Sequence, residues 1–180
     1  MTDPDRYTAT AIALHWLTAA LILCGFAIGL WMTGLALSPL KLQWYSYHKW
    51  IGITVFLLAA CRLAWRLRHR APRPVAMPEW QRRAAAATHA ALYVLMFAIP
   101  LSGWIHSSAS GVSVSWLGVV PLPDLVGKDK ALAAVLKVVH AGLNYTLLAL
   151  VLVHTGAALK HHLVDRDGVL ARMLPFLPRP

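Results

Sequence analysis

Residues 132–159 read LAAVLKVVHAGLNYTLLALVLVHTGAAL, with Lys137 the only formally charged side chain. The stretch exceeds the roughly 20 apolar residues that cross the hydrocarbon core of a bilayer. No water is available there for backbone groups, so the segment reads as a helix. Two histidines interrupt it, His140 and His154, fourteen residues apart. At 3.6 residues per turn that interval is nearly four full turns, so both rings leave one helix face about 21 Å apart along the axis. Ligand-capable side chains are costly inside a membrane and mark function. One metal cannot bind both rings; two groups stacked across the membrane can.

Three more apolar segments flank this one in the chain, at about Tyr7–Trp31, Tyr45–Leu67 and Ala84–Ile105. The four together predict an all-α, four-helix transmembrane bundle forming a single membrane domain over residues 1–180. Short connections imply antiparallel neighbours. With 58% hydrophobic and only 13% charged residues, the chain is unlike a disordered, collagen-like or ordinary cytosolic protein. Its net charge of +10, from 17 Lys+Arg against 7 Asp+Glu, has another use than nucleic-acid binding, which asks for a basic face on a polar fold. Cys24 and Cys61 stand alone in apolar runs, so neither a disulfide framework nor a zinc site is indicated. The N-terminal apolar run is too long for a cleaved signal peptide and lacks a small-x-small site after it.

The basic residues set an orientation. Arg62, Arg66, Arg68, Arg70, Arg73, Arg82 and Arg83 surround the second connection (68–83), and Lys160, Arg166, Arg172 and Arg179 follow the last span. The first connection offers only Lys41 and Lys49, the third only Lys128, Lys130 and Lys137. The positive-inside rule then predicts an N-in/C-in topology with the arginine-rich loop cytoplasmic. Trp31, Trp44, Tyr45, Tyr47 and Trp50 form an aromatic belt at the opposite face. The third connection, 107–131, carries Gly118, Pro121, Pro123 and Gly127 and reads as an ordered loop, with a short interfacial helix as one form it could take.

Depth supplies partners for the two histidines. His15 in the first span and His154 in the last lie near the cytoplasmic face; His48 in the second and His140 in the last lie near the opposite one. Two imidazoles on facing helices at each level suit the axial positions of a haem iron, held without the Cys-x-x-Cys-His of covalent attachment. Gly52, one turn after His48, together with Gly25 and Gly29, allows close approach of a flat macrocycle or, equally, plain helix packing. Arg62 lies at the cytoplasmic level, where it pairs with a haem propionate or snorkels to the surface. His89 has no partner at its depth and reads as a supporting residue, a quinone-site residue or a hydrogen-bonded core histidine. His69, His106, His161 and His162 sit at span ends, where solvated or interfacial roles suit them.

Taken together, His15-Trp16, His48 with Gly52 and Arg62, His89 with the LMFAIPLSGW run of residues 95–104, and His140, His154 and His161-His162 resemble the prokaryotic cytochrome b561 family. The resemblance covers nearly the whole chain. It implies a multi-pass protein of the bacterial inner membrane with two haem b groups, their irons held by His15 with His154 and by His48 with His140. It also implies oxidation of superoxide at the periplasmic face and reduction of ubiquinone in the membrane. Lys41, Lys49, Lys128, Lys130 and Lys137 are candidates for steering a small anion toward the periplasmic haem, or are ordinary loop lysines. Trp44, Tyr47, Trp104, Ser107 and Trp116 are candidate quinone walls. The alternative is a cytochrome subunit relaying electrons from a separate dehydrogenase or hydrogenase, a redox partner protein, to the quinone pool. A histidine-based proton or metal transporter is a third reading, without a haem absorption band. The expected surroundings are lipid, quinone and a small donor or redox partner, with no nucleic acid.

Overall fold

The computed structural model describes residues 6–69, 71–73, 75–174 and 176–177. Arg70 and Arg179, two of the arginines counted toward the cytoplasmic face, lie outside the described residues. Four long helices dominate: α1 Ala9–Gly34, α2 Pro39–Arg68, α3 Glu79–Ala109 and α4 Lys130–Lys160. Each is long and apolar enough to cross a membrane.

Three of the helices start on side-chain caps. Thr8 Oγ1 accepts from the Ala11 N–H at 3.2 Å, Ser38 Oγ from the Lys41 N–H at 3.3 Å, and Asp129 Oδ1 from the Ala131 and Leu132 N–H groups at 2.9 and 3.0 Å. Each satisfies a donor that the first turn leaves without a carbonyl. Pro39 stands in the first turn of α2, where its missing N–H is harmless. Two helices begin ahead of their apolar segments, α2 at Pro39 rather than Tyr45 and α3 at Glu79 rather than Ala84. A polar first turn outside the hydrocarbon still makes helix.

Neighbours in sequence pack as neighbours in space, α1 on α2, α2 on α3 and α3 on α4. At one end the Trp65 indole donates to Thr8 Oγ1 at 3.0 Å and the Trp16 indole to the Met173 carbonyl at 2.8 Å. There too the Arg172 guanidinium donates to the Arg73 carbonyl at 2.6 Å. Both described chain ends and the α2–α3 connection therefore share this end, hereafter the terminal end. Beyond α4 the chain makes a wide π-type turn, His161–Asp165, closed by Arg166 at φ 52°, and then a 3₁₀ turn, Leu170–Arg172.

The other end carries a small ribbon. β1 (Ser115–Trp116) pairs antiparallel with β2 (Val120–Pro121), Ser115 opposite Pro121 and Trp116 opposite Val120. Leu117 and Gly118 turn it with φ of 54° and 74°, the pair of positive values that matches strand twist in a tight hairpin. A ribbon thus stands where a short interfacial helix was one expected form, since Pro121 and Pro123 cannot donate to a helical ladder. Three indoles fasten it. Trp50 donates to the Ser115 carbonyl at 2.7 Å, Trp116 to Thr54 Oγ1 at 3.1 Å and Trp104 to the Pro123 carbonyl at 3.1 Å. Between the two ends, Leu95 and Ile99 of α3 and Leu147 of α4 form the buried core, with Ile22, Leu143 and Val151 packed against it.

Candidate functional site

Two histidine pairs face each other, one on each side of that core. The His15 and His154 ring centroids are 6.2 Å apart at the terminal end; those of His48 and His140 are 6.1 Å apart at the ribbon end. α4 supplies one ring to each pair, α1 and α2 the others.

Backbone carbonyls orient the ribbon-end rings. His48 Nδ1 lies 3.0 Å from the Gly25 carbonyl across the α1–α2 contact. A carbonyl only accepts, so Nδ1 carries the hydrogen and Nε2 keeps its lone pair. Glycines permit this approach: a Cβ at Gly29 would stand 3.2 Å from His48 Cε1, and one at Gly25 would stand 3.1 Å from Ile51 Cγ2. His140 Nδ1 lies 3.1 Å from the Ile99 carbonyl and 2.9 Å from Ser102 Oγ. Ser102 donates its own hydrogen to the Ile99 carbonyl at 2.8 Å, so its oxygen accepts from His140. Pro100, which brings no N–H to the ladder, stands in this turn. Gly103 completes it, since a Cβ there would come within 3.0 Å of His140 Cε1. A Cβ at Gly52 meets nothing within 4 Å, so the close packing weighed for that glycine occurs at Gly25, Gly29 and Gly103 instead.

The terminal-end pair is held differently. Arg62 Nη2 donates to His15 Nδ1 at 2.9 Å. A guanidinium has no lone pair to offer, so the neutral His15 ring carries its hydrogen on Nε2. The Arg62 guanidinium also lies 5.4 Å from the centre of the Tyr93 ring. His89, which lacks a partner on depth alone, stands edge-on to His154 with centroids 5.2 Å apart.

The lysines do not act as one group. Lys41 donates to the Leu35 carbonyl at 2.5 Å, finishing α1, and the Lys128 arm lies against Gly111. Lys49 and Lys137 both bear electrostatically on His106, which in turn acts on His140; Lys130 begins α4. Trp104, Ser107 and Trp116 put their polar atoms into fastening the loop, and Tyr47 accepts from Gln43 at 2.7 Å. Ser102 and Gly103 are missed by spacing; their signal is only their place in the LSGW run.

The model of prokaryotic cytochrome b561 matches residues 6–176. The chain belongs to the prokaryotic cytochrome b561 family. It is 36% identical to cytochrome b561 homolog 2 of Escherichia coli (strain K12) over 95% of its own length and 92% of that protein's. It is 34% identical to cytochrome b561 homolog 1 of the same organism, covering 95% and 98%. Identity is 28% to a Yersinia pestis protein named as a probable superoxide oxidase, CybB, covering 94% and 96%. These likenesses make the chain a multi-pass bacterial membrane cytochrome of the b type.

Haem b is the cofactor that membership in the cytochrome b561 family implies, and the donor set suits it. Two imidazoles bound to one metal at about 2 Å each have ring centroids roughly 6 Å apart, near the 6.2 and 6.1 Å of the two pairs. His48 and His140 already present Nε2 lone pairs. His15 fits once its Nδ1 is released from Arg62, a cation suited to a carboxylate.

Proposed function

We propose that this cytochrome b561 family member carries two haem b groups and moves electrons across the membrane from superoxide to ubiquinone. The two histidine pairs, one at each end of the apolar core, carry the reading. His48 and His140 hold one iron at the ribbon end, taken as periplasmic; His15 and His154 hold the other at the terminal end, taken as cytoplasmic beside the arginine-rich loop. When bound, the irons supply one-electron exchange, which the protein tunes through ligands, burial and nearby charge.

The chain's own residues do the rest. The Gly25 and Ile99 carbonyls hold the ribbon-end rings in the tautomer that ligates. Lys49, next to His48 on α2, and Lys137, one turn before His140 on α4, raise the concentration of a small anion at the ribbon end. Two superoxide anions each lose one electron to give dioxygen; one quinone gains both electrons and two protons from water to give the quinol. The likeness to a protein named as a probable superoxide oxidase supports the donor.

Spectroscopy and kinetics test this. The purified protein should contain two haems per chain, and His15→Ala or His140→Ala should each lose one and keep the other. Superoxide should reduce the haems, and added ubiquinone should reoxidise them. The double variant Lys49→Gln/Lys137→Gln should slow reduction about tenfold at low salt, the difference shrinking as salt rises. Haems that superoxide leaves oxidised, but that a copurifying dehydrogenase reduces, would replace this reading with an electron-relay subunit.

A further inference from the structure

The connection between α3 and α4 starts and finishes at one height and dips in between. The Ala109 carbonyl, at the end of α3, accepts from the Asp129 N–H at 2.9 Å, just before α4. Ser107 and Ser108 hold the same rim: Ser107 Oγ donates to the Val112 carbonyl at 2.6 Å, and the Leu125 N–H donates to Ser108 Oγ at 3.2 Å. The ribbon is tied lower. Trp104, which bonds the Pro123 carbonyl, precedes Ala109 by about 7.5 Å along the helix axis. On α2, Trp50 and Thr54 lie about 3 and 9 Å farther into the span than His48. The ribbon therefore stands level with the His48–His140 pair, and the Trp116 indole reaches deeper.

That level belongs to the uncharged part of the bundle. α2 has no Lys, Arg, Asp or Glu between Lys49 and Arg62, α3 none after Arg83, and residues 107–123 none at all. Trp50, Thr54, Leu57 and Cys61 recur at helical spacing and share one face of α2. Leu57 and Cys61, lower on that face, are exposed, which in a membrane-spanning helix means facing lipid. The ribbon rests on the upper half of the same face, through Trp50 and Thr54.

Irregular backbone at such a level has to satisfy its polar groups without water. Trp116 pairs with Val120, and the Leu122 N–H donates to the Val114 carbonyl at 2.8 Å, so the backbone groups of Ser115 and Pro121 point away from the ladder. Pro121 has no N–H there, and the Ser115 carbonyl takes the Trp50 indole at 2.7 Å. Pro123 also lacks a donor, and its carbonyl takes the Trp104 indole. The tip is apolar: Leu117, Val119 and Val120 are 51%, 75% and 43% exposed. A protein partner calls for roughly one hydrogen bond per 100–200 Å². The three indole N–H groups are already spent on fastening the ribbon, and the Ser113 hydroxyl on Asp124 at 3.1 Å. Lipid chains call for none.

We infer that residues 110–123 form a re-entrant ribbon seated at the acyl–headgroup boundary of the leaflet at the ribbon end, its tip of Leu117, Val119 and Val120 in contact with lipid chains. The segment is then a lipid-binding element rather than an aqueous loop.

Two measurements on haem-loaded protein in phosphatidylcholine nanodiscs test this. In the unaltered chain, phosphatidylcholine with a diazirine high on one acyl chain is photolysed and its adducts are mapped. Adducts are expected on residues 117–120 as well as on the helices; adducts confined to the helices would overturn the inference. Spin labels read depth independently. In a Cys24→Ala/Cys61→Ala background, a nitroxide at Val119→Cys is compared with one at Leu152→Cys within α4 and one at Lys130→Cys at the rim. The ratio of its collisions with oxygen to those with a water-soluble nickel chelate should exceed the Lys130 value several-fold and lie nearer to that at Leu152. A ratio equal to that at Lys130 would place the tip in water. Poor access to both reagents would place it under protein, with spin–spin broadening identifying a second copy, and either result overturns the lipid contact. Val120→Cys repeats the measurement should the Val119 variant lose haem.

Discussion

Gly103→Ala tests how His140 is held. The added Cβ would stand 3.0 Å from Cε1 and 3.3 Å from Nδ1 of the ring, tighter than nearly all real Cβ contacts, so the neighbour must give by a few tenths of an ångström. The ring has little freedom to do so. Its Nδ1 is tied to the Ile99 carbonyl at 3.1 Å and to Ser102 Oγ at 2.9 Å, both on the helix that carries the new methyl. Either the crowding stays, at about 1–3 kcal/mol for one extra carbon in a packed site, or the ring turns and gives up bonds of about 0.5–1.5 kcal/mol each. Both routes come to about 1–3 kcal/mol, which at 1.4 kcal/mol per tenfold weakens the ribbon-end hold on haem by roughly 5- to 150-fold. The assay is haem transfer to excess apomyoglobin, followed in the Soret band, in the otherwise unaltered chain and again in a His15→Ala background that leaves only the ribbon-end pair. Gly34→Ala is the control, since nothing lies within 4 Å of a Cβ there. Haem loss should accelerate from one level only. Equal acceleration at both levels, or none beyond the control, would refute the claim that this turn of α3 positions a ligand.

Arg62→Gln removes a cation beside His15. Across about 8 Å at an effective dielectric of about 20 that cation favours the reduced state by about 2 kcal/mol. The midpoint potential of the terminal-end haem should therefore fall by several tens of millivolts in a redox titration while the other holds; no change would show that Arg62 is far from the iron. Trp116→Phe removes the indole bond to Thr54 Oγ1, worth about 1 kcal/mol. It should leave haem content intact and speed proteolysis within residues 110–128, and unchanged cleavage would show that the other two indoles suffice to hold the ribbon.

Depth in a membrane is legible from sequence because one coordinate, residue number times helical rise, sets it. That is why His140 and His154 could be placed on two levels of α4, and why His15 and His48 could be matched to them. Rotation about each helix axis is a different matter, since it is decided by packing against neighbours that spacing does not name. His89 shows the difference: matching by depth leaves it without a partner of its own, yet the packing of α3 on α4 puts its ring edge to edge with that of His154. Ser102 and Gly103 were illegible for the same reason, being ordinary small residues until α3 turns them toward His140. The four helices were readable from composition and length, but the ribbon was not. Its turn depends on Leu117 adopting a positive φ, which the propensity of leucine opposes and which the indole ties at Trp50, Trp104 and Trp116 enforce.

The two levels differ in what orients their rings, and under the proposed assignment that difference has a consequence for assembly. At the ribbon end the partners of Nδ1 include main-chain carbonyls of α1 and α3, which are part of the helices and do not move when a ligand arrives. Those rings are preorganised, so ordering them costs little at the moment of binding. At the terminal end the partner of His15 is a long side chain, and its donor character puts the ring hydrogen on the nitrogen that a metal needs. Loading there requires Arg62 to move, and an incoming carboxylate is the partner that would draw it away. The ribbon-end site is then set by the fold itself, whereas the terminal-end site is completed by its occupant.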